Sequence, residues 1–169
     1  MLTTYKSPDI LRKRAAIPKV PSPGEGMRGV DGHIGYLLRQ AAASHRLRME
    51  RALADLGVTP PQFVVMTMIN AYPGASSADL ARLAFLTPQT LSVIIANLER
   101  DGAIAREAHA SHGRILQVAL TDKGRKLLAR CRKRAHEIEQ RLNSELSGEQ
   151  ERVVRAWLVK AAMMEDAPA

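Results

Sequence analysis

Apolar residues recur at helical spacing along most of the chain, and residues that start or stop helices separate the runs. From residue 33 to about residue 56 one apolar stripe continues without a break, until Gly57 favours the end of the helix. Thr59 is a good N-cap and Pro60 suits the first helical position, so a second helix is predicted up to the segment "YPG". The first stripe consists of Ile34, Leu37, Leu38, Ala41, Ala42, His45, Met49, Leu53 and Leu56.

Two short helices follow, with very few residues between them. Ser76 and Asp79 have the Ser-x-x-Asp capping arrangement that starts the third helix, "SSADLARLAFL". Only "LT" separates it from a fourth helix, in which Thr87 is the N-cap and Pro88 lies in the first turn. Two helices joined in this way, with Leu86 filling the turn, form the helix-turn-helix pattern.

The fourth helix has one apolar face and one small, uncharged face. Leu91, Ile94, Ile95 and Leu98 recur at helical spacing and are predicted to be buried. The opposite face lacks the Glu and Lys that a solvated helix usually carries. Amide and hydroxyl side chains match the donors and acceptors of base edges, and an aliphatic one can contact a thymine methyl, so this face predicts base contact in the major groove. The alternative is a polar solvent face. The face presents Gln89, Thr90, Ser92, Val93, Ala96 and Asn97.

After "RDG" the apolar period changes from a helical one to the alternation of a strand. The segments "AIARE" and "ILQVALT" are predicted as an antiparallel pair joined by "AHASHG". A helix-turn-helix followed directly by a hairpin is a winged helix. The predicted fold class is therefore mainly α, with a small β component (α+β).

Two helices complete the chain. "TDKGRKLLARCRKRAHEIEQRLNSEL" predicts one long helix with a nearly heptad stripe, and Ser147 and Gln150 cap a last helix. The first helix and these two have apolar stripes that nothing predicted within the chain covers, so a second copy is expected to cover them in a two-fold homodimer. The predicted organisation is an arm at 1–31, dimerisation helices at 32–56 and 122–164, and a winged-helix domain at 58–121. The last two stripes consist of Leu127, Leu128, Cys131, Ala135, Ile138 and Leu142, and of Val153, Val154, Trp157, Leu158 and Ala161.

Composition narrows the class of partner. Lys and Arg outnumber Asp and Glu by 25 to 17, an excess typical of proteins that bind nucleic acid, a membrane surface or a phosphorylated ligand. The single cysteine excludes an intrachain disulfide and a Cys-based zinc site. No apolar run approaches a membrane span, and the polar, Pro-rich arm is not a secretory signal, so a cytoplasmic location without membrane contact is expected. "LRKR" in the arm is interpreted as a solubilising terminus rather than as a phosphate-binding tail.

In their order and spacing, three segments resemble the MarR family of bacterial transcription regulators. They are "GVTPPQFVVMTMI", "SADLARLAFLTPQTLSVIIANLERDGAI" and "VALTDKG", and the resemblance covers about residues 33 to 164. It implies a triangular homodimer with interlocked N- and C-terminal helices and two winged-helix lobes in successive major grooves. Members usually repress a nearby operon and release DNA when a small aromatic or related ligand, or an oxidant, acts on them.

The chain departs from the family pattern in the fourth helix and in the wing. Many members carry Arg where this chain has Val93, which predicts weaker guanine contact and more reliance on A·T pairs. In the wing, "HASHGR" stands where members often have Asp-x-Arg-Asp-Gly-Arg, so the bracing salt bridges are not expected, while Arg114 remains a candidate for the minor groove. The candidate DNA-binding residues are Ser77, Thr87, Pro88, Gln89, Thr90, Ser92, Val93, Asn97 and Arg114.

The resemblance also implies a ligand cleft between the dimerisation helices and the winged helix, lined by the first two helices. His45 is interpreted first as a hydrogen-bonded core histidine, with ligand contact as the alternative. Met66 and Met68 are more typical of a core than of a ligand site. The candidate ligand-binding residues are His33, Tyr36, Arg39, Gln40, His45, Phe63, Met66 and Thr67.

Other reactive side chains are given structural interpretations. His109 and His112, with only Glu107 nearby in sequence, do not make a metal site and are expected to gain charge near pH 6. Cys131 is predicted to be an inert buried thiol rather than an oxidant sensor. Arg100 and Arg106 are expected to pair with neighbouring acids. A basic run on the long helix is interpreted as a solvated face, slightly in preference to a site for an acidic ligand or for the DNA backbone. The run consists of Lys123, Arg125, Lys126, Arg130, Arg132, Lys133 and Arg134.

The leading functional hypothesis is a ligand-responsive DNA-binding repressor that binds an inverted-repeat operator as a homodimer. The predicted effector is a small molecule such as an aromatic acid or its CoA thioester, and no cofactor is expected. The alternative is a ligand-insensitive architectural DNA-binding protein. No Ser/His/Asp constellation, Gly-rich phosphate loop, paired carboxylates or metal-ligand spacing indicates an enzyme.

Overall fold

A computed structural model describes residues 20–108 and 116–164, and the order of elements is that of a winged helix between longer helices. Two 3-10 helices, Gly26–Arg28 and Ala54–Leu56, accompany the main elements. The main elements are α1 (Ile34–Leu53), α2 (Pro60–Ala71), α3 (Ser77–Leu83), α4 (Pro88–Arg100), β1 (Ile104–Ala108), β2 (Leu116–Leu120), α5 (Asp122–Asn143) and α6 (Gly148–Ala162).

The chain divides into two compact units, Met1–Ala42 and Ala43–Ala169. In the first unit, the described residues 20–33 form turns and a 3-10 helix, where the composition predicts an arm without regular structure. Arg28 Nε donates to Gln40 Oε1 at 2.9 Å, and a terminal nitrogen of Arg28 donates to the carbonyl of Pro21 at 2.8 Å. The prediction missed this structure because Arg28 and Gln40 are twelve residues apart.

The helix boundaries of the second unit follow from local capping, as predicted. Thr59 accepts a hydrogen bond from the backbone N–H of Gln62 in a reciprocal capping box, with Pro60 as the first helical residue of α2. The α-helix α1 ends at Leu53 rather than near residue 56, because the last turn, Ala54–Leu56, is a 3-10 helix, which Gly57 ends with a φ of 65°. Ser147 and Gln150 form a second such box at the start of α6.

The core of the second unit lies where α2, α3, α4, the hairpin and α5 meet. Strands β1 and β2 pair antiparallel with Ile104 opposite Leu120, which confirms the predicted hairpin. The buried apolar residues are Met49, Leu53, Val58, Val65, Met66, Ile69, Leu80, Ala81, Ala84, Leu91, Ile94, Ile95, Leu98, Ala103, Ile104, Leu120, Leu128 and Cys131.

The apolar stripes of the outer helices are largely exposed in the single chain. In α1 only Met49 and Leu53 are buried, and no residue of α6, which is described throughout, is buried. The lone tryptophan, Trp157, is 41% exposed and Ile34 is 64% exposed.

Among the described residues no single helix has both the length and the hydropathy of a membrane span. One pair of consecutive helical segments, Ile34–Leu56 and Pro60–Ala71, has them when taken together, but the pair is bent by 81°.

Candidate nucleic-acid interface and ligand cavity

The third helix is fixed at its start by a carboxylate cap. Ser76 Oγ donates to Asp79 Oδ2 at 2.6 Å, and the Asp79 N–H donates back to Ser76 Oγ at 3.1 Å. Arg82 forms an ion pair with the same carboxylate. The hydrogen bond from the Ser76 side chain, followed by that from Arg82, lowers the pKa of Asp79. The cap therefore retains a charged carboxylate at neutral pH, while Ser77 beside it stays exposed.

The fourth helix begins with hydroxyl groups that bond to one another and to its own backbone. Thr87 Oγ1 accepts from the Thr90 N–H at 3.2 Å and lies 2.9 Å from Thr90 Oγ1. Ser92 Oγ donates to the carbonyl of Pro88 at 2.9 Å. These local bonds fix the rotamers of the hydroxyl side chains and leave acceptor capacity on each oxygen.

The two faces of α4 are separated as predicted. Leu91, Ile94, Ile95 and Leu98 are buried in the core. The other side bears no charged side chain before Glu99. Gln89 is exposed, and its side chain has no hydrogen-bond partner among the described residues, so it is available to an external group. Val93 is 60% exposed, so its methyl groups are open to an external apolar contact. The candidate contacts on α4 have exposed side chains at Thr87, Pro88, Gln89, Thr90, Ser92 and Val93, and a half-buried one at Asn97.

Several predictions concern residues around the wing. Arg114, His109 and His112 lie outside the described residues, so their predicted roles remain predictions. The expected ion pairs at the base of the wing are present: Arg106 lies 3.4 Å from Glu99, and Arg100 lies 3.5 Å from Asp101.

Part of the basic run on α5 is used within the chain. Lys123 Nζ donates to the carbonyl of Asp101 at 2.6 Å. Arg125 pairs with Asp122 at 2.6 Å, and Arg134 pairs with Asp55 at 3.0 Å. Lys123 and Arg134 therefore link α5 to the end of α4 and to the 3-10 helix Ala54–Leu56, while the Arg125–Asp122 pair lies within α5, and such exposed contacts contribute little to stability.

A cavity of about 360 Å³ lies between α1, α2 and α5 in the second unit. Met49, Phe63 and Ala135 give it an apolar surface. His45 Nδ1 is buried there without a hydrogen-bond partner among the described residues. The prediction of a fully hydrogen-bonded core histidine is therefore wrong, because no donor or acceptor on α2 or α5 reaches this nitrogen. The residues that line the cavity are His45, Met49, Phe63, Arg132, Ala135, His136 and Glu139.

The structure separates the candidate ligand residues. His45 and Phe63 line the cavity, whereas Met66 is completely buried in the core and Thr67 Oγ1 donates to the carbonyl of Phe63 at 2.8 Å. Neither Met66 nor Thr67 lines this cavity, because the Met66 side chain lies in the core and the half-buried Thr67 hydroxyl bonds to its own helix. His33, Tyr36 and Arg39 are exposed in the first unit, while Gln40 is occupied by Arg28.

The prediction missed the wall that α5 contributes. Arg132, His136 and Glu139 follow one another at helical spacing and form a polar strip beside the apolar stripe of α5. This spacing was visible in the sequence, but only the packing of α5 shows that the strip faces α1 and α2.

A larger groove of about 700 Å³ lies between the C-terminal part of α1 and the second half of α5. Its floor is apolar, from Ala52, Ile138 and Leu142, and arginines and glutamates form its rim. Leu142 is 41% exposed although it belongs to the predicted heptad stripe. An exposed heptad residue is what an uncovered helix–helix interface presents.

Cys131 is buried in the core, and burial raises the pKa of its thiol. Both features agree with the prediction of an inert cysteine. Among the described residues no three His, Cys, Asp or Glu side chains are arranged to hold a metal ion.

Comparison with known proteins gives one consistent family. A family model described as MarR family matches residues 56–115. The HTH-type transcriptional repressor Rv2887 of Mycobacterium tuberculosis is 39% identical over 130 residues, which make up 77% of this chain and 94% of the repressor.

Solved structures of that MarR family protein resemble this fold. The M. tuberculosis Rv2887 complex with salicylic acid has a TM-score of 0.63 and 39% identity, over 78% of this chain and 98% of that chain. The Rv2887 complex with DNA has a TM-score of 0.61 and 34% identity, over 76% of this chain and 97% of that chain.

Proposed function

The chain belongs to the MarR family of transcription regulators, and we propose that it represses transcription as a homodimer that binds an inverted-repeat operator through α4. We propose further that a small aromatic acid, bound between α1, α2 and α5, releases it from DNA. The observation that carries the proposal is the division of α4 into a buried apolar face and an exposed, uncharged face of hydrogen-bonding side chains.

Contact with DNA follows from what α4 exposes. The carboxamide of Gln89 can donate and accept simultaneously, as the N6 and N7 positions of adenine require. Val93 offers an aliphatic surface to a thymine methyl, and the first N–H groups of α4 suit a phosphate. The related Rv2887 has been solved in complex with DNA, which supports DNA as the partner of this chain.

A homodimer follows from the apolar surface that one chain leaves in water. The exposed residues on α6 include Val153, Val154, Trp157 and Leu158, and Leu142 on α5 adds to them. A contiguous apolar surface of this kind marks an interface in soluble proteins. Two copies related by a two-fold axis would present two α4 helices about one turn of DNA apart, roughly 34 Å.

The cavity supports a ligand of one aromatic ring and one acid group. At about 360 Å³ it is at the lower end of small-molecule sites, which favours a free acid over a CoA thioester. Phe63 and Met49 offer apolar contact, and Arg132 offers a cation to the acid group of a ligand, with Glu139 as the one acid in the lining. Salicylic acid in the related Rv2887 structure has this chemistry.

Release of DNA follows if the ligand fixes the arrangement of these helices. The cavity is bounded both by helices assigned to the dimer, α1 and α5, and by α2 of the winged helix. A ligand that contacts them together favours one spacing of the DNA-binding lobes, and a coupling of about 1–3 kcal/mol is the usual scale of such effects.

Competition binding tests the proposal. The full-length protein is titrated onto fluorescent duplex DNA from upstream of its own coding region, with excess random duplex and then with salicylate. We expect binding that survives the random competitor and weakens about 5- to 150-fold with salicylate. Binding that random DNA removes would favour a charge-driven architectural protein, and specific binding that salicylate does not weaken would reject salicylate as the effector while leaving the DNA-binding function in place.

A further inference from the structure

The turn between α3 and α4 has an unusual residue at its centre. Phe85 has a φ of 53°, and among the described residues it is the only one other than glycine with a positive φ. Its side chain is 91% exposed. A bulky residue in this conformation is strained, and an exposed aromatic ring gains nothing from burial in the core.

The hydrogen bonds show why the turn needs that conformation. The Phe85 N–H donates to the carbonyl of Arg82 at 3.2 Å, and the Leu86 N–H donates to that of Ala81 at 2.9 Å. This pair of bonds is the Schellman arrangement, in which the residue after the helix cap is left-handed and is usually glycine. The left-handed conformation of Phe85 directs the chain so that the next side chain, that of Leu86, packs against the core.

The end of α4 provides an internal comparison. There Gly102 donates to the carbonyl of Glu99 at 2.9 Å, and Ala103 donates to that of Leu98 at 2.9 Å, which is the same pair of bonds. The left-handed position is held by glycine, with a φ of 69°. The chain thus uses glycine after the C-terminal end of α4 and a strained, exposed phenylalanine after the C-terminal end of α3. The fold alone favours glycine at both.

We propose that Phe85 is a DNA contact whose ring packs on the apolar surface of the operator beside the site of α4. This inference rests on the proposed DNA-binding function. Phe85 stands two residues before Thr87, the N-cap of the helix that carries the proposed base contacts. DNA offers an aromatic ring two apolar surfaces at this position, the thymine methyl in the major groove and the deoxyribose of the backbone.

The test compares stability with affinity in the full-length protein. Duplexes that the unaltered protein binds are first selected from random sequence. Phe85→Gly removes both ring and strain, Phe85→Ala removes the ring but keeps a side chain at positive φ, and Tyr72→Ala is the control. Tyr72 is an aromatic residue, 51% exposed, at the C-cap of α2.

Phe85→Gly is expected to gain thermal stability and to lose affinity for DNA. Phe85→Gly should melt at a higher temperature than the unaltered protein yet bind the selected duplex about tenfold more weakly. Phe85→Ala should lose the same affinity without the thermal gain, and Tyr72→Ala should bind as the unaltered protein does. Replacing dT by dU, which lacks the methyl group that Val93 is also proposed to contact, should weaken the unaltered protein more than Phe85→Gly if the ring contacts thymine, and should weaken both proteins equally if it contacts deoxyribose.

Two results would overturn the inference, and only the second would also overturn the proposed function. If Phe85→Gly binds the selected duplex as tightly as the unaltered protein, Phe85 does not contact DNA, while the proposed function stands. A partner protein that requires Phe85 would then account for the exposed ring. If the unaltered protein selects no sequence at all, the proposed function fails and this contact fails with it.

Discussion

Gly124 lies so close to Ala103 that a Cβ on Gly124 would stand 1.8 Å from the Ala103 carbonyl oxygen. Gly124 is in the first turn of α5, and its N–H donates to Thr121 Oγ1 at 3.0 Å. The same Ala103 carbonyl accepts from the Thr121 backbone N–H at 3.1 Å. The start of α5 is therefore in contact with the start of the hairpin, and this junction sets the position of the wing relative to the long helix.

Replacing Gly124 should separate the two elements. Because backbone atoms are in the way, Gly124→Ala should reduce the free energy of unfolding by about 1–3 kcal/mol. Urea denaturation at fixed protein concentration measures it. Gly148→Ala is the matched control, since nothing lies within 4 Å of a Cβ there and helical alanine should be neutral or slightly stabilising. Equal stability of the two variants would show that the junction between α5 and the hairpin accommodates a methyl group without a loss of stability.

Asp79 should titrate below the ordinary carboxyl range. Its pKa is lowered mainly by the Ser76 hydroxyl, so the cap contributes stability above the ordinary pKa of about 4 and loses it as pH falls through the lower folded value. NMR titration of the Asp79 carboxyl measures the shift directly. Ser76→Ala should move the pKa back toward its ordinary value, and an unchanged pKa in that variant would contradict the assigned cause.

Local patterns were sufficient to predict the element boundaries of the winged helix. The caps at Thr59, Ser76 and Thr87 depend on side chains and N–H groups only three residues away, and all three form as the sequence predicts. The buried face of α4 follows from helical periodicity in the same way.

The cavity could not be predicted to the same degree, because it depends on how separate helices pack. Arg132 and His136 lie about ninety positions after His45 in the sequence, and only the rotation of α5 about its axis brings them to one wall. The side of α2 that Met66 faces was likewise undecided by sequence, since its residues are apolar on more than one face. Phe85 escaped prediction because its position in a Schellman turn favours glycine.

Arg132 should determine the concentration at which an acidic effector releases the protein from DNA. Replacing it by glutamine removes one charge-assisted hydrogen bond to the carboxylate and should raise the salicylate concentration for half-release of DNA about tenfold or more. Lys133→Gln is the control, because Lys133 is an exposed basic neighbour that does not line the cavity. Fluorescence anisotropy of the DNA complex follows the release, and equal sensitivity of the two variants would exclude Arg132 from the site.

Cys131 should not react with oxidants in the folded protein. It is completely buried and burial raises the pKa of its thiol, so neither access nor thiolate is available for reaction. Native protein should resist a thiol-labelling reagent that modifies it in urea, and peroxide should leave its DNA affinity unchanged. Rapid labelling of the native protein would show that the core around α5 opens readily.

The surface of α4 is the basis of the proposed function, and Gln89→Ala tests it most directly. Fluorescence anisotropy is measured on DNA from upstream of the coding region, with random competitor, for the unaltered protein, Gln89→Ala and Gln140→Ala. Gln140 is an exposed glutamine on α5, outside the proposed interface. We predict that Gln89→Ala loses about tenfold in affinity for this DNA while its binding to random duplex and the affinity of Gln140→Ala stay unchanged. Equal affinity of all three proteins would contradict the assignment of α4 as the DNA-reading helix.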